Sequence, residues 1–280
     1  MSDRRRLILA TGETIYLEPN QACFVVEMNG DCNQLLRNGT SQFYSALDTS
    51  SVTDISLLLD NALGLTYVKF KDNDFSKCTN ASTIINSGST QLQHLDMINC
   101  DLSNALSSES LASKLVLPEN IVSFDFTDSI LPWYYMYRFC YMFPNLKTGS
   151  FKNVNFNYPY SRGVTFEEAF EQCPNLESVD FTGANLSNTT NMNKMFFQCP
   201  KLTSMSFAGA DLSKVTSMNY MFGYCTSLKS LTITGSLNSS LSPFYTFAGV
   251  ETSGTFYYDT DSTYTKLKSV LPSKWKAVKI

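Results

Sequence analysis

A single histidine, His94, bounds the acid–base chemistry open to this chain of 280 residues. A Ser-His-Asp triad or a histidine-rich metal site would have to run entirely through it. No GxSxG, HExxH, P-loop or GxGxxG occurs. A second alternative is a carboxylate-based enzyme of the glycan-hydrolase kind, for which no motif singles out a pair. No catalytic residue is assigned, and the chain reads as a non-enzyme. The eight cysteines include Cys173, Cys199 and Cys225, placed 26 apart. Such a ladder suggests metal or disulfides, yet each cysteine completes an apolar stripe and no CxxC accompanies them. They read as buried free thiols acting as small hydrophobes, with no metal ligand set and no cofactor. Cys23 and Cys32 lie nine apart and would bridge only in an oxidising compartment. The sequence leaves that open.

Two further groups carry polar or aromatic chemistry. His94 and Asp96 flank the inward Leu95, so both project from the open face of a strand. In register with Asp96 come Asp125, Ser150, Asp180, Ser206 and Thr232, where acidic and neutral positions read as alternating, a spacing that limits repulsion between strands. His94, Asp96, Asp125 and Asp180 form a candidate ligand surface, or simply a solvated sheet face. The segment LPWYYMYRFCYMF holds Trp133, Tyr134, Tyr135, Tyr137, Phe139 and Tyr141 within nine residues. The next coil is lengthened by NYPYSRG, which adds Tyr158, Tyr160 and Arg162. One helix face cannot bury them all. Tyr, Trp and Arg are the enriched residues of binding hot spots, and aromatic rings also hold sugars. Trp133, Tyr134, Tyr135, Tyr137, Tyr158, Tyr160 and Arg162 are therefore the candidate binding residues, against oversized core filling.

An internal repeat must position all of these. VTFEEAFEQCPNLESVDFTGANLSN, TTNMNKMFFQCPKLTSMSFAGADLSK and VTSMNYMFGYCTSLKSLTITGSLNSS align without gaps. Phe170, Phe196 and Phe222 recur every 26 residues, as do Leu176, Leu202 and Leu228, and Gly183, Gly209 and Gly235. A fixed period of this size indicates stacked coils that bury their apolar faces only against each other. Met192, Met195, Phe196 and Cys199 fall at i, i+3, i+4 and i+7, which predicts a short helix ending at Pro200. Leu202, Met205 and Phe207 then predict a strand, and Gly209 a turn. The anchors step back through Leu146, Ile121, Leu92 and Leu65, giving about seven coils. The predicted fold class is an α/β repeat: a leucine-rich-repeat solenoid with a parallel β-sheet on one face, short helices on the other, and β-rich caps.

Composition agrees with coils rather than long helices. Charged residues make up 16%, against about 25% in a typical domain. Polarity comes instead from 35 Ser, 26 Thr and 22 Asn, which favour turns and caps. The net charge of −4 makes nucleic acid a poor partner. MSDRRRLILATGE carries only LILA as an apolar run, short of a secretory signal, and no stretch reaches the roughly 18 apolar residues of a membrane span. The chain reads as soluble, without membrane insertion, and not exported by the usual route.

The pattern in TNMNKMFFQCPKL and TSMNYMFGYCTSL resembles BspA-like leucine-rich repeats, common in gut Bacteroidetes, mycoplasmas and some parasitic protists. The likeness is specific over residues 164–240 and diffuse over 52–163. GTFYYDTDSTYTKLKSVLPSKWKAVKI also looks like the cap that follows such repeats. The resemblance implies surface display, adhesion or binding, and no enzymatic activity. The expected organisation is an N-terminal β-rich cap or docking segment over residues 1–50, the solenoid over 51–250, and a C-terminal cap over 251–280. In residues 1–50, LILATGETIYLEP and ACFVVEMNGDC read as short strands joined by TG and NG turns. The expected role is a non-catalytic binding or structural module. It would be made in the cytoplasm and displayed on a virion or particle surface, as in a bacteriophage appendage. Other subunits of the assembly would hold its N-terminal segment, and a host-surface protein or glycan would be bound. The alternative is a bacterial cell-surface adhesin.

Overall fold

The computed structural model describes residues 5–8, 14–17, 23–24, 42–45, 49–50, 52–53, 66–78, 91–104, 119–131, 136–156 and 163–280. Strands β1 (Arg5–Ile8) and β2 (Thr14–Leu17) pair antiparallel, with Leu7 opposite Ile15. Next come β3 (Cys23–Phe24), β4 (Gln42–Ser45), β5 (Tyr67–Lys71), β6 (His94–Ile98), β7 (Ser123–Asp125) and β8 (Thr148–Ser150). After them follow β9 (Val164–Thr165), β10 (Ser178–Asp180), β11 (Thr189–Asn191), β12 (Ser204–Phe207) and β13 (Ser230–Ile233). The chain closes with β14 (Gly254–Tyr258), helix α1 (Asp261–Leu267) and β15 (Trp275–Lys279).

Strands β3 to β8, β10 and β12 to β15 form one parallel sheet of eleven strands in chain order. Strands β9 and β11 make a second, two-stranded parallel ladder. Each strand of the main sheet returns beside its predecessor after one coil, so the chain is a right-through solenoid of the leucine-rich-repeat type. Six turns separate β5 from β13. The anchors Leu92, Ile121, Leu146, Leu176, Leu202 and Leu228 are all buried, while Leu65 lies outside the described residues. Strand alternation then fixes an inward column: Val68, Leu95, Phe124, Gly149, Val179, Met205, Leu231 and Phe256. Gly149 is the gap in that column. A Cβ there would lie 2.2 Å from Phe124 Cζ, so the ring of one strand fills the space left by the next.

The short helices expected opposite the sheet are tandem turns. Met192, Met195, Phe196 and Cys199 are buried as the spacing requires, but four-residue turns satisfy that spacing as well as a helix does. Within the coil, Met195 N–H donates to the Met192 carbonyl at 3.3 Å and Phe197 N–H to Lys194 at 3.0 Å. The alternate N–H groups leave the coil. Those of Met192, Lys194, Phe196 and Gln198 donate forward to Ser217, Asn219, Met221 and Gly223, at 2.8–2.9 Å. The same four-bond pattern starts from Met136, from Phe166 and from Met218.

This geometry needs a left-handed residue at every fourth position: Arg138 and Met142, Glu168 and Gln172, Lys194 and Gln198, Tyr220 and Tyr224. None is glycine, and each costs roughly 1–2 kcal/mol. The forward bonds offset that cost, whereas a lone helix of two turns is marginal in water. The only α-helix among the described residues is α1, whose Thr260 side chain accepts from Thr263 N–H at 3.3 Å.

Between the two walls lie ladders of rings. Phe170, Phe196, Phe222 and Phe247 stack at 5.2, 5.7 and 5.6 Å, and Phe151, Phe181 and Phe207 at 5.0 and 5.3 Å. The core is closed at its C-terminal end by Trp275, 5.5 Å from Phe247.

Candidate functional site

The sheet face brings together some of the expected residues. Tyr67, Lys69, His94 and Asp96 lie on β5 and β6, and their side chains meet across the strands. Tyr67 OH donates to Asp96 Oδ2 at 2.5 Å, and Lys69 Nζ lies 3.8 Å from the same carboxylate. His94 packs edge-on to Tyr67 at 5.9 Å, and its Nδ1 is 2.8 Å from Ser123 Oγ. Serine, histidine and aspartate are thus near one another without forming a relay, because Asp96 is engaged by Tyr67 and Lys69.

The expected alternation of acidic and neutral positions does not hold here. Asp96 is the direct partner of Asp125. Burial, and then the Asp125 charge, raise the Asp96 carboxyl against the opposing pull of Tyr67 and Lys69. Asp125 and Asp180 turn back on their own loops, accepting from Thr127 N–H at 2.9 Å and Thr182 N–H at 2.8 Å. The rest of the face, through Ser178, Ser204, Ser206, Ser230 and Thr232, is a shallow bed of small hydroxyls.

Of the expected aromatic cluster, Tyr137 is described; Trp133, Tyr134, Tyr135, Tyr158, Tyr160 and Arg162 lie outside the described residues. Tyr137 is half-buried, with the Arg138 guanidinium 5.0 Å from its ring and 4.5 Å from that of Tyr141. Arg138 starts a column of outward left-handed positions: Arg138, Glu168, Lys194, Tyr220 and Tyr245. Its Nε donates to Glu168 Oε2 at 2.8 Å, while Lys194 Nζ lies 3.4 Å from Oε1. Burial alone would raise the Glu168 carboxyl. The two cations, Arg138 foremost, outweigh it and hold the group below its ordinary range.

Farther along, the same column becomes aromatic, a feature the sequence reading missed. Tyr220 stacks on Tyr245 at 5.0 Å, and Phe197 meets Tyr220 and Tyr224 edge-on at 6.1 and 5.4 Å. Tyr224, Phe244 and Tyr245 are 50, 65 and 65% exposed. The available signal was Tyr220 and Tyr224, four apart in MNYMFGYC and outside the buried stripe.

The cysteine ladder is buried and free, as read from the sequence, and it also has a hydrogen-bonding role. The Cys173, Cys199 and Cys225 thiols donate to the carbonyls of Cys140, Phe170 and Phe196, at 2.8, 3.0 and 3.0 Å. Burial pushes the Cys225 thiol up to about 12 and holds Cys199 well above its ordinary value. These are poor nucleophiles. Among the described residues, no group of three or more His, Cys, Asp or Glu side chains is placed to hold a metal ion. No described helix is long and apolar enough to cross a membrane.

One family model falls on the repeat. Residues 164–270 match the family model described as "Mycoplasma protein of unknown function, DUF285", a stretch that contains the three gap-free blocks. This supports the BspA-like character of those repeats. The crystal structure of a leucine rich cell surface protein from Faecalibacterium prausnitzii A2-165 aligns with 99% of this chain and 92% of its own, at 14% identity and a TM-score of 0.27. No curated protein matches the chain.

Proposed function

We propose that this protein is a non-catalytic recognition module, a solenoid that binds through its long faces and is displayed at a biological surface. The observation that carries the reading is the exposed aromatic column on the turn face. Tyr224, Phe244 and Tyr245 stand at least half in solvent on a wall otherwise held rigid by coil-to-coil hydrogen bonds. Exposed apolar surface on a rigid support marks a contact surface, and stacked repeats supply extended ones. His94 and Asp96 are committed to structural partners, which argues against an acid–base role.

In the finer version of this reading, residues 1–50 dock onto other subunits of a virion-type particle. The residues Trp133, Tyr134, Tyr135, Tyr137, Tyr158, Tyr160 and Arg162 then contact a host-surface protein or glycan. Anchorage on a bacterial cell surface is the alternative. Gold-labelled antibody to this chain, imaged on both purified particles and intact bacteria, should mark the particles; label confined to bacteria would select the alternative. Replacing Tyr158, Tyr160 and Arg162 together with alanine should weaken binding at least tenfold without collapse of the melting temperature. Unchanged affinity would remove that coil from the contact surface.

A further inference from the structure

The last coil of the turn face is finished differently from those before it. In the four preceding coils whose turn wall is described, the alternate N–H groups donate toward the C-terminal end of the solenoid. Their counterparts in the final row of tandem turns are Pro243, Tyr245, Phe247 and Gly249, after which the chain returns through α1 to β15 without a further such row. Pro243 has no N–H to offer. The N–H groups of Tyr245 and Gly249 find no acceptor among the described residues, and both residues are exposed.

The C-terminal cap protects only the other part of this end. Thr260 and Thr263 reach the Gly235 carbonyl, and Trp275 covers Phe247. Phe244 and Tyr245 remain outside the cap, each 65% exposed. Tyr245 rests one ring face on Tyr220 and has no ring partner on the other among the described residues. The Tyr224 ring packs against Gly249, where a Cβ would stand 2.7 Å from its Cδ1.

Flat ring faces bordered by donors without acceptors call for a ligand of matching form: one apolar face, with acceptor oxygens around its rim. A pyranose has that form, since its axial C–H groups stack on aromatic rings and its ring and hydroxyl oxygens accept hydrogen bonds. A further polypeptide coil fits less well, because Pro243 breaks the donor row and the cap occupies the neighbouring ground. We propose that Tyr224, Phe244 and Tyr245, with the N–H groups of Tyr245 and Gly249, form a saccharide-stacking platform for a pyranose of a surface glycan. This rests on the reading of the protein as a recognition module and places a site apart from the coil around residues 133–162.

The test uses the full chain on an array of pyranose-containing oligosaccharides, one arm from animal mucins and one from bacterial envelope polysaccharides. Titration calorimetry on the bound sugars follows. Tyr245→Asn removes the ring with a residue that tolerates the left-handed backbone (φ 54). It should lower affinity about tenfold or more while the melting temperature holds, as should Phe244→Ser. Tyr245→Phe keeps the ring and should retain binding. Saccharide binding in either arm that disappears with Tyr245→Asn supports the platform, and the responding arm identifies the source. Absence of binding on both arms overturns it, as does binding indifferent to Tyr245→Asn. Loss in the Tyr158, Tyr160, Arg162 triple variant alone would overturn the platform while leaving the recognition reading intact. A protein ligand displaced by Tyr245→Asn, with no saccharide bound, would also overturn it.

Discussion

The sheet wall and the turn wall enclose the same core but solve the backbone problem differently. On the sheet wall every coil lies extended, side chains alternate in and out, and the outward positions are mostly Ser, Thr and Asp. On the turn wall the chain folds back at every fourth residue, and the outward positions are the left-handed ones. A strand spends no strain to reach its neighbour, so its outward side chains are free to be small. A turn coil holds strained residues in place through coil-to-coil bonds. There the outward side chains are long: they pair as Arg138–Glu168–Lys194 or stack as Tyr220–Tyr245. The lesson is that one solenoid can carry a polar face and an aromatic face at no cost to its core.

If the walls share one core, a ring removed from either should cost the same. Phe196→Ala on the turn wall and Phe207→Ala on the sheet wall should each destabilise by about 3–5 kcal/mol in chemical denaturation, since both leave a large cavity. A loss below about 0.5 kcal/mol at Phe196 would break the stacked register.

A smaller contrast separates the glycines. At Gly149 an added Cβ meets the fully packed Phe124 ring, so Gly149→Ala should cost about 1–3 kcal/mol. Combining it with Phe124→Leu should recover much of that. At Gly223 the nearest atom is Phe197 Cδ2 at 2.8 Å, on a half-buried ring that can swing outward. Gly223→Ala should therefore cost less, by the same unfolding measurement.

The smallest expected difference is in acid. Glu168 has a carboxyl lowered on folding, so its contribution is present above its unfolded value, roughly 4.3, and fades as pH falls through the lower folded value. Asp96 is raised on folding, so its charge opposes folding at neutral pH, and that penalty lifts as pH falls through the raised folded value toward the unfolded one. Glu168→Gln should lower the melting temperature at pH 7 by roughly 1–3 °C and matter less in acid. Asp96→Asn should raise it at pH 7. Shifts of the same sign at both positions would contradict the distinction between the walls.

The sheet wall was legible in the sequence because a strand's period of two leaves one inward choice once Leu176, Leu202 and Leu228 are aligned. The turn wall was legible in its burial but not in its backbone. Met192, Met195, Phe196 and Cys199 obey a spacing common to a helix and to four-residue turns, and only Lys194 and Gln198, left-handed in the fold, separate the two. Nothing in a lysine or glutamine announces that conformation. The aromatic end of the turn face is not legible in the sequence because Tyr220 and Tyr245 lie 25 residues apart and meet only through the repeat, whereas Trp133 and its neighbours are dense along the chain. Asp96 and Asp125 did stand side by side in the column, and reading their neighbours as alternating hid the pair.

The one-way direction of the forward bonds has an electrical consequence. Each peptide unit carries about 3.5 D, and the alternate units of four successive coils point the same way along the solenoid axis. Their sum is a standing dipole whose positive end lies at the C-terminal coil, the reverse of an α-helix, whose positive end is its N-terminus. Among the described residues the forward pattern begins in the coil of Met136, and Arg138 stands in that coil, at the negative end of the described run, where a cation is favoured. The field therefore runs along the described turn wall from the coil of Met136 to that of Tyr245, and each coil inserted into that run would lengthen the dipole.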